Sequence, residues 1–197
     1  MNILTSFDLS GKAALVTGAK RGIGRGMAEA LASAGADIVG VSASLEPGSD
    51  VEKAVTAMGR KFTPYQCDFS DRAAVRAFAA QVEADGFAPD ILINNAGIPD
   101  AQRAHKMSNE LIDCVFDTNL RGPYVLSCEV ARRLIAAEMP GRMVNISSIG
   151  AFRYEGQGAA LYSITKAGIA RMSEALAVEW ARFHINVNAI APGAFSS

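Results

Sequence analysis

The sequence predicts an α/β fold, a single doubly wound parallel sheet with helices on both faces. Three observations carry this. Six short β-like runs alternate with helical stretches along the 197 residues. No repeat, linker or low-complexity segment interrupts the alternation. A glycine-rich turn, Gly18-Ala19-Lys20-Arg21-Gly22-Ile23-Gly24, stands directly after the first run. The length suits one domain with a sizeable core, and 50% of the residues are hydrophobic.

The elements follow in order. Residues 12–17 form an apolar run that ends at Thr17-Gly18. Residues 27–34 read as helix and 36–41 as a second strand. Strand, glycine-rich turn, helix, strand is the βαβ unit of a dinucleotide-binding, Rossmann-type fold. Its glycines let the backbone turn sharply and approach a pyrophosphate. The helix start then offers free N–H groups and a partial positive charge. The spacing here is Gly-x-x-x-Gly-x-Gly rather than Gly-x-Gly-x-x-Gly.

Residues 50–59 read as the next helix and 62–66 as the third strand. Asp68-Phe69-Ser70-Asp71 follows, and Ser70 or Asp71 can cap a helix over 73–85. Asp68 is either a turn residue or a ligand contact at the mouth of the sheet. Residues 90–93 form a fourth strand running into Asn94-Asn95-Ala96-Gly97. Amides there can tie two strands together, and the small residues leave room for a ligand. The stretch 108–138 is mostly helical, with a kink or break expected at Pro123. Residues 141–146 are strand five, 159–181 a helix, and 185–190 strand six. Ligands of such sheets bind beyond the carboxyl ends of the strands. Gly18, Asp68, Asn95, Ser148 and Pro192 all fall at those ends.

The chemistry concentrates between Asn145 and Lys166. Tyr162 and Lys166 are four residues apart on a predicted helix, so phenol and ammonium share one face. A free tyrosine, with a pKa of about 10, is a poor acid or base near neutrality. A neighbouring lysine cation favours the phenolate. Lowering that value by about three units takes roughly 4 kcal/mol. The tyrosine could then exchange a proton with an alcohol or carbonyl oxygen. Ser148, at the end of a buried strand, could hold the same oxygen. Chance spacing on an ordinary helix is the competing reading of Tyr-x-x-x-Lys.

Composition narrows the partners. The net charge is −1 with no basic tract, so nucleic acid is not expected. No apolar run approaches a membrane span, and residues 1–10 lack the features of a signal peptide. A soluble, cytoplasmic protein is expected. Cys67, Cys114 and Cys128 are scattered, and His105 and His184 are far apart, so no metal site is expected.

The sequence resembles the short-chain dehydrogenase/reductase family from about residue 9 to its end. The likeness rests on Thr17-Gly18-x-x-x-Gly22-x-Gly24, Asp68, Asn94-Asn95-Ala96-Gly97, Asn119, Ser148, Tyr162-x-x-x-Lys166 and Pro192-Gly193. Gluconate and 2-deoxygluconate dehydrogenases and 3-oxoacyl-carrier-protein reductases are the members it resembles. The resemblance implies Tyr162 as general acid/base and Lys166 as its activator and a ligand of the nicotinamide ribose. It implies that Ser148 orients the substrate oxygen and that Asn119 holds a relay water. Gly18, Gly22, Ile23 and Gly24 would cradle the pyrophosphate, with Arg21 among the cofactor contacts. Asp68 and Phe69 would meet the adenine, Asn95, Ala96 and Gly97 the adenosine ribose region, and Pro192 and Gly193 the nicotinamide.

Two departures bear on cofactor and substrate. Ser42 stands where NAD-preferring members often place an acid, while Arg21 is basic as in many NADP-preferring members. The cofactor expectation is therefore NAD or NADP. Family members continue past the Pro-Gly motif with a lid, a helix and a last strand, which are absent from this sequence. Ser197 stands where a threonine usually meets the nicotinamide amide, and the sequence is expected to be part of a longer chain. Arg103, His105, Arg153 and Tyr154 flank the expected cleft and could meet an acidic substrate, or be solvated loop residues. The expected activity is hydride transfer between NAD(P) and a secondary alcohol or ketone, a sugar acid or a 3-oxoacyl thioester. A cofactor-binding regulatory or scaffold protein without turnover is the alternative. Helices 108–138 and 159–181 carry more apolar positions than one sheet face needs, and the resemblance implies that they pair in a homodimer or homotetramer.

Overall fold

Six strands lie side by side, all parallel, in the order β3-β2-β1-β4-β5-β6. They are β1 (Ala13–Thr17), β2 (Asp37–Ser42), β3 (Phe62–Gln66), β4 (Ile91–Asn94), β5 (Gly141–Ile146) and β6 (Ile185–Ile190). The computed structural model describes residues 6–100, 102–154, 156 and 158–194. The expectation placed on Ser197, and residues 1–5 of the leader reading, lie outside these. The central strands read Ala-Leu-Val, Ile-Val-Gly-Val and Ile-Leu-Ile because a parallel sheet is covered on both faces. Pro64 is tolerated because β3 is an edge strand.

Side chains alternate between two cores. Ala14 and Val16 point with Ile38, Ile91 and Ile93 toward α1 (Gly22–Ser33) and α2 (Asp50–Ala57). Leu15, Val39, Val41, Leu92 and Met143 point the other way. There they meet α3 (Arg72–Ala84), α5 (Gly122–Ala136) and α6 (Ala160–Trp180). Each buried Leu, Ile or Val contributes roughly 1.5–3 kcal/mol. The two cores therefore fix which strand ends lie together.

Two sequence expectations are corrected. The first helix begins at Gly22, not at 27. Glycine propensity argues against helix there, but first-turn N–H groups have no intrahelical partner and that turn must approach β4 closely. The break expected at Pro123 is absent. The chain runs from α4 (Asn109–Phe116) through a π-helical turn, Asp117–Arg121, into α5. Pro123 sits in the first turn of α5, where its missing N–H costs least. The irregularity moves to the residues just before it. Of the two caps offered for α3, Asp71 is the one used, accepting from the N–H groups of Ala73 (2.8 Å) and Ala74 (3.1 Å).

Candidate active site

The loops after β1, β3, β4, β5 and β6 meet along one edge of the sheet. Thr17, fully buried at the end of β1, accepts hydrogen bonds from the N–H groups of Asn95 and Ala96, both at 2.9 Å. Asn95 returns its side-chain amide to the carbonyl of Thr17 at 3.0 Å. Gly18 follows with φ +68, and a Cβ there would lie 2.7 Å from Asn95 Nδ2. A Cβ on Gly24 would lie 2.3 Å from the Gly18 carbonyl oxygen. Both glycines are thus demanded by packing of the turn against the β4 loop. Gly22, by contrast, has φ +57 and open space where its Cβ would be.

The start of α1 is left open to a ligand. Its N-cap, Arg21, gives no side-chain cap, and its first turn holds no acidic residue. Free N–H groups, a partial positive charge and the open side of Gly22 fit a pyrophosphate. The neighbouring β2 end carries Ser42, whose hydroxyl accepts from the Lys20 N–H at 3.2 Å. Lys20 Nζ reaches the Ser44 carbonyl at 2.7 Å. Lys20 therefore stands beside the end of β2, and Arg21, next in the chain, is exposed.

Asp68 is exposed and closes a turn on Ser70, accepting from its N–H at 2.9 Å and its hydroxyl at 2.7 Å. Phe69 is buried, packed edge-on against Phe78 at 6.4 Å between ring centroids. Its side chain belongs to the core, so only its backbone is left for an adenine.

The polar centre is built around Lys166, which is 4% exposed. Its Nζ donates to the Ile146 carbonyl at 2.7 Å and lies 5.6 Å from the centre of the Tyr162 ring. A Cβ on Gly97 would approach that Nζ to 3.4 Å. Burial lowers the Lys166 pKa from 10.5 to about 8. A group titrating at about 8 is still roughly nine-tenths protonated near pH 7. Lys166 therefore remains a cation beside the Tyr162 ring. Ser147, buried beside it, donates to the Lys166 carbonyl at 2.7 Å and ties α6 to the end of β5. Ser148 stands next in the chain, half-buried, its hydroxyl accepting from the Gly150 N–H at 3.1 Å.

Asn119, 1% exposed, sits in the π turn. Its side chain is fully committed. It accepts from the Ile98 N–H and donates to the Ile98 carbonyl, both at 2.8 Å, and reaches Thr165 Oγ1 at 3.3 Å. Thr165 in turn donates to the Tyr162 carbonyl at 2.8 Å. Pro192 joins through its carbonyl, which accepts from the Ile149 N–H at 3.0 Å, and Gly193 follows, exposed. Ile23 is half-buried in the first turn of α1. Arg103 and His105 lie exposed around a short 3₁₀ turn, Ala104–Lys106, and Tyr154 is 54% exposed after Ser148.

Reading the residues assigned no role to three positions. Thr17 is the staple just described. Lys20 was hidden because a loop lysine carries no partner information. Asp100 is buried and holds the start of α6. Its only sequence signal is an acid soon after a strand end, which many loops share.

The short chain dehydrogenase family model matches residues 12–197. The chain belongs to the short-chain dehydrogenase family. It is therefore an NAD(P)-dependent oxidoreductase acting on CH–OH groups. It is 48% identical over 192 residues to a 2-dehydro-3-deoxy-D-gluconate 5-dehydrogenase of Pseudoalteromonas atlantica, covering 97% of this chain and 75% of that one. Its fold superposes on a short-chain type dehydrogenase/reductase from Mycobacterium marinum with TM-score 0.91 and 32% identity, covering 98% and 78% of the two chains. A metagenomic short-chain oxidoreductase in complex with NADP aligns with TM-score 0.87 and 35% identity, covering 95% and 84%. Among the described residues no helix is long and apolar enough to cross a membrane, and no group of metal-ligating side chains occurs.

Proposed function

We propose that the protein interconverts a secondary alcohol and a ketone on a sugar acid of the 2-dehydro-3-deoxygluconate type. Tyr162, Lys166, Ser148 and Asn119 form the catalytic site. One unit, residues 1–197, carries both cofactor and catalytic residues. NAD(P), bound along the edge from Gly18 to Pro192 and Gly193, supplies or accepts the hydride. Gly22, Ile23 and Gly24 would hold its pyrophosphate, Arg21 and Ser42 the ribose at the end of β2, and Asp68 the adenine. The Phe69 backbone, Asn95, Ala96 and Gly97 complete that wall.

The observation that carries this reading is the placement of Lys166. A buried ammonium is anchored on the Ile146 carbonyl, lies against the Tyr162 ring and stands beside Gly97. It stabilises the phenolate of Tyr162, which gives its proton to the ketone oxygen or takes one from the alcohol. Ser148 holds that oxygen. The Asn119 side chain is spent on Ile98, so its carbonyl is the group left for a relay water. Arg103, His105 and Arg153, on loops at the same sheet edge, suit the carboxylate of a sugar acid.

The 48% identical relative supports the substrate class by its name. Cytoplasmic residence belongs to the same proposal: the three cysteines are unpaired thiols, as in a reducing compartment. So does a homodimer or homotetramer. A hollow of about 530 Å³ lies between α6 and the stretch from the end of α4 to the start of α5, lined by Leu120, Tyr124, Gly168, Met172 and Leu176, and a second copy would fill it.

The test is turnover of 2-dehydro-3-deoxygluconate, gluconate and a 3-oxoacyl thioester, each with NADH or NADPH or the oxidised forms, followed by nicotinamide absorbance. The proposal expects the highest kcat/KM on the deoxy sugar acid. Preference for the thioester would overturn the substrate class. Cofactor binding with no turnover on any carbonyl or alcohol would favour the scaffold reading.

A further inference from the structure

We propose that Asp100 is a positioning residue for the acid/base tyrosine, a cap supplied to α6 from a distant loop. The inference rests on the reading of Tyr162 given above. Asp100 is 4% exposed. One carboxylate oxygen accepts from the Leu161 N–H at 3.1 Å, the other from the Tyr162 N–H at 3.0 Å. The helix has no cap of its own. Ala159 stands at the N-cap position, offers no side-chain acceptor, and the first turn holds no acidic residue. Substituting alanine for a capping side chain leaves first-turn N–H groups without an acceptor. Here the acceptor comes from 61 and 62 residues earlier in the chain. A carboxylate at a helix N-terminus is also favoured by the helix dipole, and its hydrogen bonds are charge-assisted.

The position of this cap gives it a role beyond stability. The N–H it holds is that of Tyr162 itself. From the other side, the Tyr162 carbonyl accepts from Thr165, which meets Asn119. Asn119 grips both backbone groups of Ile98, two residues before Asp100. The loop after β4 is thus clamped at Ile98 to the π turn and at Asp100 to α6. Gly97, on the same loop, passes beside Lys166 Nζ. One loop therefore sets Tyr162 relative to both Lys166 and the cofactor wall. Two hydrogen bonds to adjacent amides restrain rotation of the first turn as well as its translation. A shift of about 1 Å in a reacting group can cost on the order of 10²-fold in rate.

The test uses Asp100→Ala, Asp100→Asn, Tyr162→Phe and the Asp100→Ala/Tyr162→Phe double variant. Each is assayed for kcat, KM and cofactor Kd, with thermal unfolding as a check on folding. Asp100→Ala is expected to lose kcat by roughly 10- to 100-fold. Cofactor Kd should stay within about threefold, because Asn95 and Ala96 are held to the glycine turn by Thr17, independently of Asp100. Asp100→Asn, which keeps one acceptor oxygen, should recover part of the loss. In the Tyr162→Phe background the Asp100→Ala effect should vanish, since a residue that acts through the phenol has nothing left to position. An unchanged kcat in Asp100→Ala overturns the proposal. So does an equal further loss in the double variant, or a fall in kcat matched by cofactor Kd, which marks a general structural role. Near-parental activity of Tyr162→Phe overturns the acid/base reading instead, and with it the basis of this one. If Asp100→Ala fails to fold, Asp100→Asn in both backgrounds decides the question by the same comparison.

Discussion

Burying Lys166 has a thermodynamic cost that can be measured apart from catalysis. Its pKa falls from 10.5 to about 8 because the ammonium is taken out of water. A lysine depressed in the folded state binds its proton more weakly there than in the unfolded chain. Below pH 8 both states are protonated and the full penalty is present, roughly 3 kcal/mol at about 1.4 kcal/mol per tenfold. As the pH rises from 8 toward 10.5 the folded state releases its proton first, and the penalty is relieved. Between about pH 7 and about pH 9.5 this one group should stabilise the cofactor-free protein by about 2 kcal/mol. Lys166→Met removes the group. It also removes the hydrogen bond to Ile146, but that loss is similar at both pH values. The assay is urea unfolding of parent and variant at the two pH values, without cofactor. The stability of the variant minus that of the parent should be about 2 kcal/mol larger near pH 7 than near pH 9.5. A difference that does not change with pH would refute the claim that burial depresses Lys166.

Further outcomes follow from the same geometry. Gly24→Ala would place a methyl 2.3 Å from the Gly18 carbonyl oxygen, and should cost about 1–3 kcal/mol and weaken cofactor binding; thermal unfolding and cofactor titration read both. Arg21→Ala should raise KM for NADPH more than KM for NADH, because a 2′-phosphate beside the end of β2 would lose a cation; steady-state kinetics with each cofactor checks it. Tyr124→Glu, on the half-exposed wall of the hollow beside α6, should shift the mass seen by light scattering toward monomer if a second copy fills it.

Much of the architecture was legible because short continuous apolar runs, as in strands buried on both faces, alternate cleanly with helical stretches. Strand order follows once the glycine turn marks β1 and every crossover is right-handed. What escaped the sequence was local and tertiary. The start of α1 looked too rich in glycine for a helix, yet Gly24 is there because the β4 loop passes where a Cβ would be. Pro123 signals a helix break, but a first-turn proline leaves α5 intact and the irregularity falls on Asp117–Arg121 instead. Phe69 lies in a motif that points to the ligand, while its ring is claimed by Phe78 in the core. The candidate site divides in the same way. Tyr162, Lys166 and Ser148 were marked by spacing and strand position, because their chemistry needs those residue types. Asp100 was not, because its partners are backbone N–H groups, which leave no trace in residue identity.

The most direct test of the central claim is the turnover of Tyr162→Phe on the deoxy sugar acid. Phenylalanine keeps the ring and removes the oxygen that moves the proton. General acid–base help is typically worth about 10²–10⁴-fold, so kcat should fall by at least that order while cofactor Kd stays within a few-fold. A kcat within a few-fold of the parent would contradict the account.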